Sequence, residues 1–376
     1  MFFPMGGPFI AEERMHRLIA VVVALSLPLV IALGGCGAPA DGQLEDHGLS
    51  ATLRAGQPAA DGAGPLALTF ELANLGAESR HVLAYQTPIN GIDADILDVR
   101  RDGEPVQYLG RLVKRRAPAA ADFLEVKPGA SVTATFDPSA SYDLSQPGTY
   151  TFRYRHPYMQ VRSPEGGGMP AKGGVATAFV KAASNEIAVA LEAGPAQPAA
   201  LPPSAAPGSS SYVGCTASQK SAIASARAKA AAYASDVLVY LAAGTKGARY
   251  KSWFGAYTST RYGKAKTHFT KINGAVGTAA MTFDCGCTDD SYAYTYPAQP
   301  YAIYLCGAFW DAPLSGTDSR AGTIVHETSH FNVVASTDDW AYGKADAKSL
   351  AASNPTEALD NADSHEYFAE NSPHQN

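Results

Sequence analysis

Hydrophobic and polar residues alternate along the first half of the chain. In "LALTFEL" the apolar residues Leu66, Leu68, Phe70 and Leu72 fall on one face of an extended segment, and "SVTATF" and "TYTFRYR" are equally rich in strand formers. Alternation with a period of two predicts half-buried β-strands. Turn sequences such as "NLG", "RDGEP" and "QPG" separate these segments. We therefore expect an all-β, sandwich-like domain over residues 49–192.

The second half of the chain has a helical pattern. The stretch "SQKSAIASARAKAAAYASDVLVYLAAG" is rich in alanine, carries apolar residues at helical spacing and ends at Gly244, which predicts one long helix. Further helices are expected over residues 319–331 and 339–352, with short extended segments over 281–287 and 301–306. Residues 212–376 should thus form a second domain, mainly α within an α+β class.

Two segments of biased composition set the expected boundaries. Residues 193–211 consist almost entirely of proline, alanine, glycine and serine, a composition that cannot bury a core and is typical of an extended linker. At the other end, "MHRLIAVVVALSLPLVIALGGC" has the basic start, apolar run and small residues of a secretory signal. We assign residues 1–36 to this signal, with Met15 as the expected true start, and residues 37–48 to a tether.

The five cysteines agree with export to an oxidising compartment. Leu33-Gly34-Gly35-Cys36 resembles the bacterial lipobox, in which the cysteine is lipidated and held at a membrane surface. Lipidation of Cys36 would leave four cysteines for two bridges. Cys285 and Cys287 are separated by a single residue, and we expect them to bond to different partners.

Composition narrows the class of protein only broadly. A hydrophobic content of 46% with 17% charged residues is typical of folded globular domains. The net charge of -6 favours partners other than nucleic acid, because nucleic-acid binders usually carry a basic surface.

The sequence "VHETSHF" contains the most informative motif. His326 and His330 are four residues apart, so on a helix both imidazoles can reach one ion, with Glu327 between them as a general base. This H-E-x-x-H arrangement predicts a zinc-dependent peptidase. A catalytic zinc needs three protein ligands and one open position. The chain lacks the glycine and histidine of the metzincin extension, since Val333 and Ser336 occupy those positions.

The residues alone leave the third ligand open. Asp338 and Asp339 are the leading candidates, His365 is a more remote one, and Glu357 and Glu366 have no supporting spacing.

Three stretches, "HETSHF", "STDDWAYG" and "NADSHEYFAEN", resemble the aspzincins, the family of deuterolysins and peptidyl-Lys metalloendopeptidases. The similarity runs from about residue 212 to the end of the chain, and implies a zincin-type fold with one zinc ion in the catalytic domain. It implies Asp339 as the third ligand, Tyr342 as the residue that stabilises the transition state, and disulfides Cys215–Cys285 and Cys287–Cys306. The chain departs from the family at Ser336, where a glycine is usual and a positive φ would be mildly strained.

The resemblance also implies a reaction and a specificity. Glu327 would assist the attack of a water molecule activated by zinc. Asp363 and Glu366 lie three residues apart, on one helical face, and match residues that bind the lysine ammonium in the S1′ pocket. We therefore expect an endopeptidase that cuts at the amino side of lysine. The alternatives are a broader, deuterolysin-like specificity and a surface lipoprotein that only binds.

The region 49–192 resembles the propeptide of deuterolysins more loosely, which implies a part in folding or in covering the cleft. Its Lys114-Arg115-Arg116 run reads as a surface basic patch rather than a processing site. The protein is predicted to be a monomer that acts on proteins or peptides. It should be exported from a bacterial cell and anchored by lipid on Cys36, with release of the catalytic domain by cleavage in the linker.

Overall fold

The computed structural model describes residues 48–56, 66–162, 177–192 and 208–376. The predicted signal, Cys36, nearly all of the tether and most of the linker lie outside these ranges. Within them, no helix is long and apolar enough to cross a membrane. All described residues belong to one compact unit.

The N-terminal region is built from β-strands, as the alternating pattern predicts. Its strands are β1 (Leu49–Ala55), β2 (Leu68–Asn74), β3 (Arg80–Leu83), β4 (Leu97–Arg101), β5 (Glu104–Pro105), β6 (Leu112–Lys114), β7 (Phe123–Val126), β8 (Ser131–Phe136), β9 (Gly148–Arg162), β10 (Thr177–Ala183) and β11 (Ile187–Leu191).

Two antiparallel sheets enclose the hydrophobic core of this region. One sheet has the strand order β1-β2-β8, and the other has the order β5-β4-β9-β3-β7 with β10 and β11 also paired to β9. In β2 every second residue is buried, including Phe70 and Leu72, and these side chains share one core with Phe152 and Tyr154 of β9. Burial of alternate residues from both sheets is what stabilises such a two-layer arrangement.

The C-terminal region is mainly helical and contains four further strands. The elements are β12 (Ser210–Val213), α1 (Ala217–Ala242), α2 (Ala248–Phe254), α3 (Ser259–Thr278), β13 (Met281–Asp284), β14 (Ala293–Thr295), β15 (Ala302–Leu305), α4 (Gly307–Asp311), α5 (Arg320–His330), α6 (Gly343–Ser353), α7 (Pro355–Ala358) and α8 (Ala362–Glu370).

This region has a hydrophobic core of its own, to which α1, α3, α5 and α8 contribute. The long helix α1 begins at a capping box, in which the Thr216 hydroxyl accepts from the Gln219 amide and the Gln219 side chain accepts from the Thr216 amide. The structure contains the Cys215–Cys285 and Cys287–Cys306 disulfides, which hold β13 and its following loop to α1 and α4.

One sheet joins the two regions. Its strand order is β12-β13-β15-β14-β6, so the last strand comes from the N-terminal region. Strand β6 runs antiparallel to β14, with Val113 opposite Tyr294. A third, smaller apolar cluster also spans the boundary and brings Tyr158 of β9 against Trp340 and Leu350.

The structure corrects two of the expected boundaries. The helix expected over 339–352 begins only at Gly343, because the preceding residues are held extended: the amides of Trp340 and Ala341 both donate to the Asn361 side chain. The last two residues of the expected linker belong to β12, which pairs in parallel with β13.

Candidate active site

Helix α5 carries the H-E-x-x-H motif through the centre of the C-terminal region. It is capped by Ser319, whose hydroxyl accepts from the Gly322 amide, and every residue from Ala321 to His330 is buried. The imidazole rings of His326 and His330 lie edge to face with their centroids 4.9 Å apart. The spacing of one helical turn therefore points both rings towards the same position.

Asp339 completes a three-residue cluster at this position. Its carboxylate oxygens lie 3.2 Å from His326 Nε2 and 3.4 Å from His330 Nε2. These ring nitrogens and both oxygens are buried, and none has a hydrogen-bond partner among the residues that the structure describes. Buried polar atoms without a partner are energetically costly, which suggests that these atoms share a bound ligand. Two imidazoles and one carboxylate are a ligand set that suits zinc.

The neighbouring residues leave the Nε2 atoms free for a metal. His330 Nδ1 lies 2.7 Å from the Thr337 carbonyl oxygen, which can only accept, so this nitrogen carries the proton. His326 Nδ1 lies 2.9 Å from Asp363 Oδ1. Partners of this kind orient metal-binding histidines and fix their tautomers. Burial acts to raise the pKa of Asp339, but His330 and His326 outweigh it and hold the pKa well below its ordinary value.

The other candidates for the third ligand do not reach this cluster. His365 is bonded through Nε2 to His268 Nδ1 at 2.9 Å, and Glu366 approaches His326 on its Nδ1 side, at 3.4 Å. In the described part of the chain, Asp339 is the residue that forms a possible metal site with both motif histidines. Asp338 and Glu357 do not belong to that site.

Ser336 adopts the backbone conformation that the family glycine implies. Its φ is 49°, in the left-handed region, which costs a residue with a side chain about 1–2 kcal/mol. The Ser336 hydroxyl donates to the Asn332 carbonyl at 3.2 Å. The turn that brings Thr337 and Asp339 back to α5 is therefore formed without glycine.

Glu327 is fully buried beside the cluster of His326, His330 and Asp339. Neither of its carboxylate oxygens has a hydrogen-bond partner among the described residues. Burial raises the pKa of Glu327 to about 7. A carboxylate of this kind can accept a proton near neutral pH.

Tyr342 lies at the beginning of α6 and is 3% exposed. Its hydroxyl donates to the Val113 carbonyl oxygen of β6 at 3.0 Å. The family resemblance implied that Tyr342 stabilises the transition state, and in the structure its hydroxyl is bonded to a peptide carbonyl of the N-terminal region.

Asp363 and Glu366, on α8, enclose the ammonium group of Lys114. Lys114 Nζ lies 2.5 Å from Glu366 Oε2 and 3.3 Å from Asp363 Oδ1, and all three side chains are buried. Burial by itself lowers the pKa of Lys114, but attraction by Asp363 and Glu366 outweighs it, and the pKa lies well above its ordinary value. The expectation that Lys114 belongs to a surface patch is wrong, because β6 carries it into the site.

Three further residues surround this ammonium group and were not singled out in the sequence. Asp318 Oδ1 is 3.9 Å from Lys114 Nζ. The rings of Tyr292 and Tyr367 lie 5.0 and 5.9 Å from Nζ, within the range of cation–π attraction. Asp318 directly precedes Ser319, the residue that caps the H-E-x-x-H helix, and this proximity in sequence was a usable signal for it. Nothing in the sequence around Tyr292 indicated its place.

Known proteins resemble the chain over most of its length. A family model described as lysine-specific metallo-endopeptidase matches residues 239–370. An extracellular protease of Aeromonas hydrophila is 42% identical over 365 residues, which cover 95% of this chain and 99% of the relative. The peptidyl-Lys metalloendopeptidase of Grifola frondosa is 36% identical over 85% of this chain and 92% of the relative. A solved structure of a zinc peptidase from Grifola frondosa is 46% identical over 43% of this chain and 100% of that chain, with a TM-score of 0.41.

The H-E-x-x-H helix belongs to a cluster of His326, His330 and Asp339 that could hold a metal ion. Together with the relatives from Aeromonas hydrophila and Grifola frondosa, it defines a zinc metalloendopeptidase. The chain belongs to the aspzincin family, whose model bears the description lysine-specific metallo-endopeptidase, and the resemblance seen in the sequence is confirmed.

Proposed function

We propose that the protein is an exported zinc endopeptidase that cuts peptide bonds on the amino side of lysine. One observation carries the specificity. The pocket formed by Asp363 and Glu366 holds the ammonium of Lys114, while the Tyr342 hydroxyl donates to the carbonyl of Val113, the residue before that lysine. A substrate bound in the same way would present to the catalytic groups the bond that precedes its lysine.

His326, His330 and Asp339 would hold the zinc, with Asp363 orienting His326 and Thr337 orienting His330. Zinc, when bound, supplies a Lewis acid that polarises the substrate carbonyl and makes water a stronger nucleophile. Glu327 takes a proton from the attacking water and returns it to the amine that leaves. Tyr342 donates a hydrogen bond to the carbonyl oxygen as negative charge develops on it.

The pocket excludes apolar and acidic side chains by charge. Its buried carboxylates would be left without a partner by an apolar residue in P1′, and leaving such groups unpaired costs several kcal/mol. This favours a lysine-specific enzyme over the alternative of broad, deuterolysin-like cleavage. The presence of Glu327 disfavours a surface lipoprotein that only binds, since binding has no need of a base.

We extend the proposal to the organisation of the whole chain. The separate hydrophobic cores support a β domain and a catalytic domain. Export is supported by the signal-like N-terminus and by the name of the Aeromonas hydrophila relative. Attachment through lipid on Cys36 rests on the sequence motif alone. Mass spectrometry of the N-terminal peptide from the exported protein tests it, because unmodified Cys36 in that peptide would exclude the anchor.

Three peptides that differ only in carrying Lys, Arg or Leu at one position test the reaction. They are incubated with the zinc-loaded full chain and with its Lys114→Glu variant, so that Lys114 in the pocket cannot hide activity. We expect cleavage before lysine, none before leucine, and none by Glu327→Gln. Equal cleavage of the lysine and leucine peptides would refute the specificity. No cleavage by either Glu327-containing chain, with zinc bound, would refute the peptidase.

A further inference from the structure

Strand β6 occupies the site as a peptide would. Peptides often bind by adding a strand to the edge of a sheet, and β6 adds to β14 with Lys114 opposite Ala293, Val113 opposite Tyr294 and Leu112 opposite Thr295. The Tyr292 amide also donates to the Lys114 carbonyl at 2.9 Å. Backbone pairing therefore fixes the register that delivers Lys114 to its pocket.

The same strand also contacts Tyr342, on the other side of the peptide bond between Val113 and Lys114. Tyr342 bonds to the Val113 carbonyl, and Lys114 Nζ bonds to the carboxylates of α8. The two contacts bracket the bond between Val113 and Lys114. A structural ion pair alone would need the ammonium contacts but not the contact between Tyr342 and the preceding carbonyl.

A carboxylate of the N-terminal region clamps β6 on both sides of this bond. Asp93 accepts from Arg111 Nε at 2.8 Å and from a terminal nitrogen of Arg115 at 3.2 Å. Arg115 also lies over the ring of Tyr85, 4.6 Å from its centroid, and that ring packs edge-on against Tyr342. The N-terminal region thus presents β6 as a pre-formed strand rather than as a free end.

We propose that β6 is an internal, substrate-like inhibitor, and that Lys114 excludes other lysine side chains from the pocket for as long as the N-terminal region stays in place. The inference rests on the proposed function, because it takes the pocket to be the one that recognises substrate lysine. The full-length enzyme is thus inhibited by the same type of residue that its pocket recognises in a substrate.

The strength of inhibition follows from tethering. A segment joined to its site competes with an effective concentration in the millimolar range. If β6 as a free peptide bound the site with a Kd of about 0.1 mM, an effective concentration of about 1 mM would lower the apparent affinity for any other lysine peptide roughly tenfold. The clamp at Asp93 reduces the freedom that β6 loses on binding, so tenfold is a lower bound.

Binding of a short lysine-containing peptide to zinc-loaded full chains tests the proposal without turnover. All chains carry Glu327→Gln, and the native Lys114 is compared with Lys114→Glu, which puts a third carboxylate against Asp363 and Glu366 and should expel the strand. The exposed residue Lys127 lies in the same region, and Lys127→Glu is the matched control. We expect Lys114→Glu to bind the peptide at least tenfold more tightly than the other two chains.

Equal affinity in all three chains would overturn the inhibitor and leave the lysine pocket intact. Absence of binding in all three would refute the lysine pocket itself, and with it the proposed specificity.

A second measurement needs no change at Lys114. In the Glu327→Gln chain, an amine-acylating reagent should modify Lys127 but not Lys114, and an excess of the lysine peptide should displace β6 and raise the labelling of Lys114. Labelling of Lys114 that does not change when the peptide is bound would overturn the proposal.

Discussion

The substitution Glu366→Gln should reduce the preference for lysine over a neutral side chain of similar length. Glu366 Oε2 is the atom closest to the ammonium group, at 2.5 Å, and the side chain is fully buried. Glutamine keeps the size and one carbonyl oxygen but removes the charge. The change therefore isolates the electrostatic part of lysine recognition.

The magnitude follows from the contacts that remain. Truncating one partner of a buried charge pair typically costs about 2–5 kcal/mol. Asp363 and Asp318 still face the ammonium group in the variant, so we take the lower half of this range, about 2–3 kcal/mol. At about 1.4 kcal/mol for each factor of ten, the loss is roughly 30- to 150-fold.

The assay compares kcat/KM for two peptides that differ only in lysine or norleucine at P1′. The ratio of the two values cancels any change in zinc content or in competition by β6, because both factors act equally on the two peptides. Glu370→Gln is the matched control: Glu370 is buried on the same helix, bonds to Ser319 rather than to Lys114, and has its pKa raised to about 8 by burial and by Glu366. A ratio unchanged by Glu366→Gln, or lowered equally by Glu370→Gln, would refute the assignment.

Three further outcomes are expected. Asp363→Asn should weaken zinc binding about 10- to 100-fold, because loss of a residue that orients a metal-binding histidine typically lowers metal affinity by this factor. Competition with a chelator measures the zinc affinity, and an unchanged value would exclude Asp363 as the partner of His326. Replacing both cysteines of the Cys215–Cys285 bridge by serine should destabilise the protein by about 1 kcal/mol more than the same change at Cys287–Cys306. The bridges span 70 and 19 residues, for which the loop-entropy relation gives roughly 4.4 and 3.2 kcal/mol. Urea unfolding of the two double variants measures the difference, and the opposite order of stability would contradict the prediction. Residues 182–219 contain no lysine, so prolonged self-digestion of the wild type should yield no new N-terminus in this range, and a cut within the linker by the purified enzyme would indicate the broader specificity.

Local patterns in the sequence were sufficient for most of the secondary structure. Alternation in β2 and the alanine-rich, helically spaced pattern of α1 depend on neighbours within a few positions, which is why both regions could be assigned from the sequence. The His326, Glu327 and His330 constellation likewise needs only one helical turn. The start of α6 could not be predicted, because it depends on bonds from Trp340 and Ala341 to Asn361, about twenty residues away.

The largest difference between sequence and structure concerns Lys114. A lysine followed by two arginines is usually solvent-exposed, and nothing within β6 indicates a buried partner. Its burial depends on Asp363 and Glu366, which lie about 250 residues further along the chain. Pairing of β6 with β14 brings them together, and such non-local pairing leaves no trace in a single sequence. The sequence suggested that the N-terminal region covers the cleft, but the residue that enters the pocket emerged only from the structure.

Identification of the residue that follows each cleaved bond tests the account most directly. A peptide library of mixed sequence is digested with the zinc-loaded Lys114→Glu chain, and the new N-termini are identified by mass spectrometry. The account predicts lysine at nearly all of them and a return to mixed residues in Glu366→Gln. New N-termini dominated by apolar residues in the Glu366-containing enzyme would contradict it.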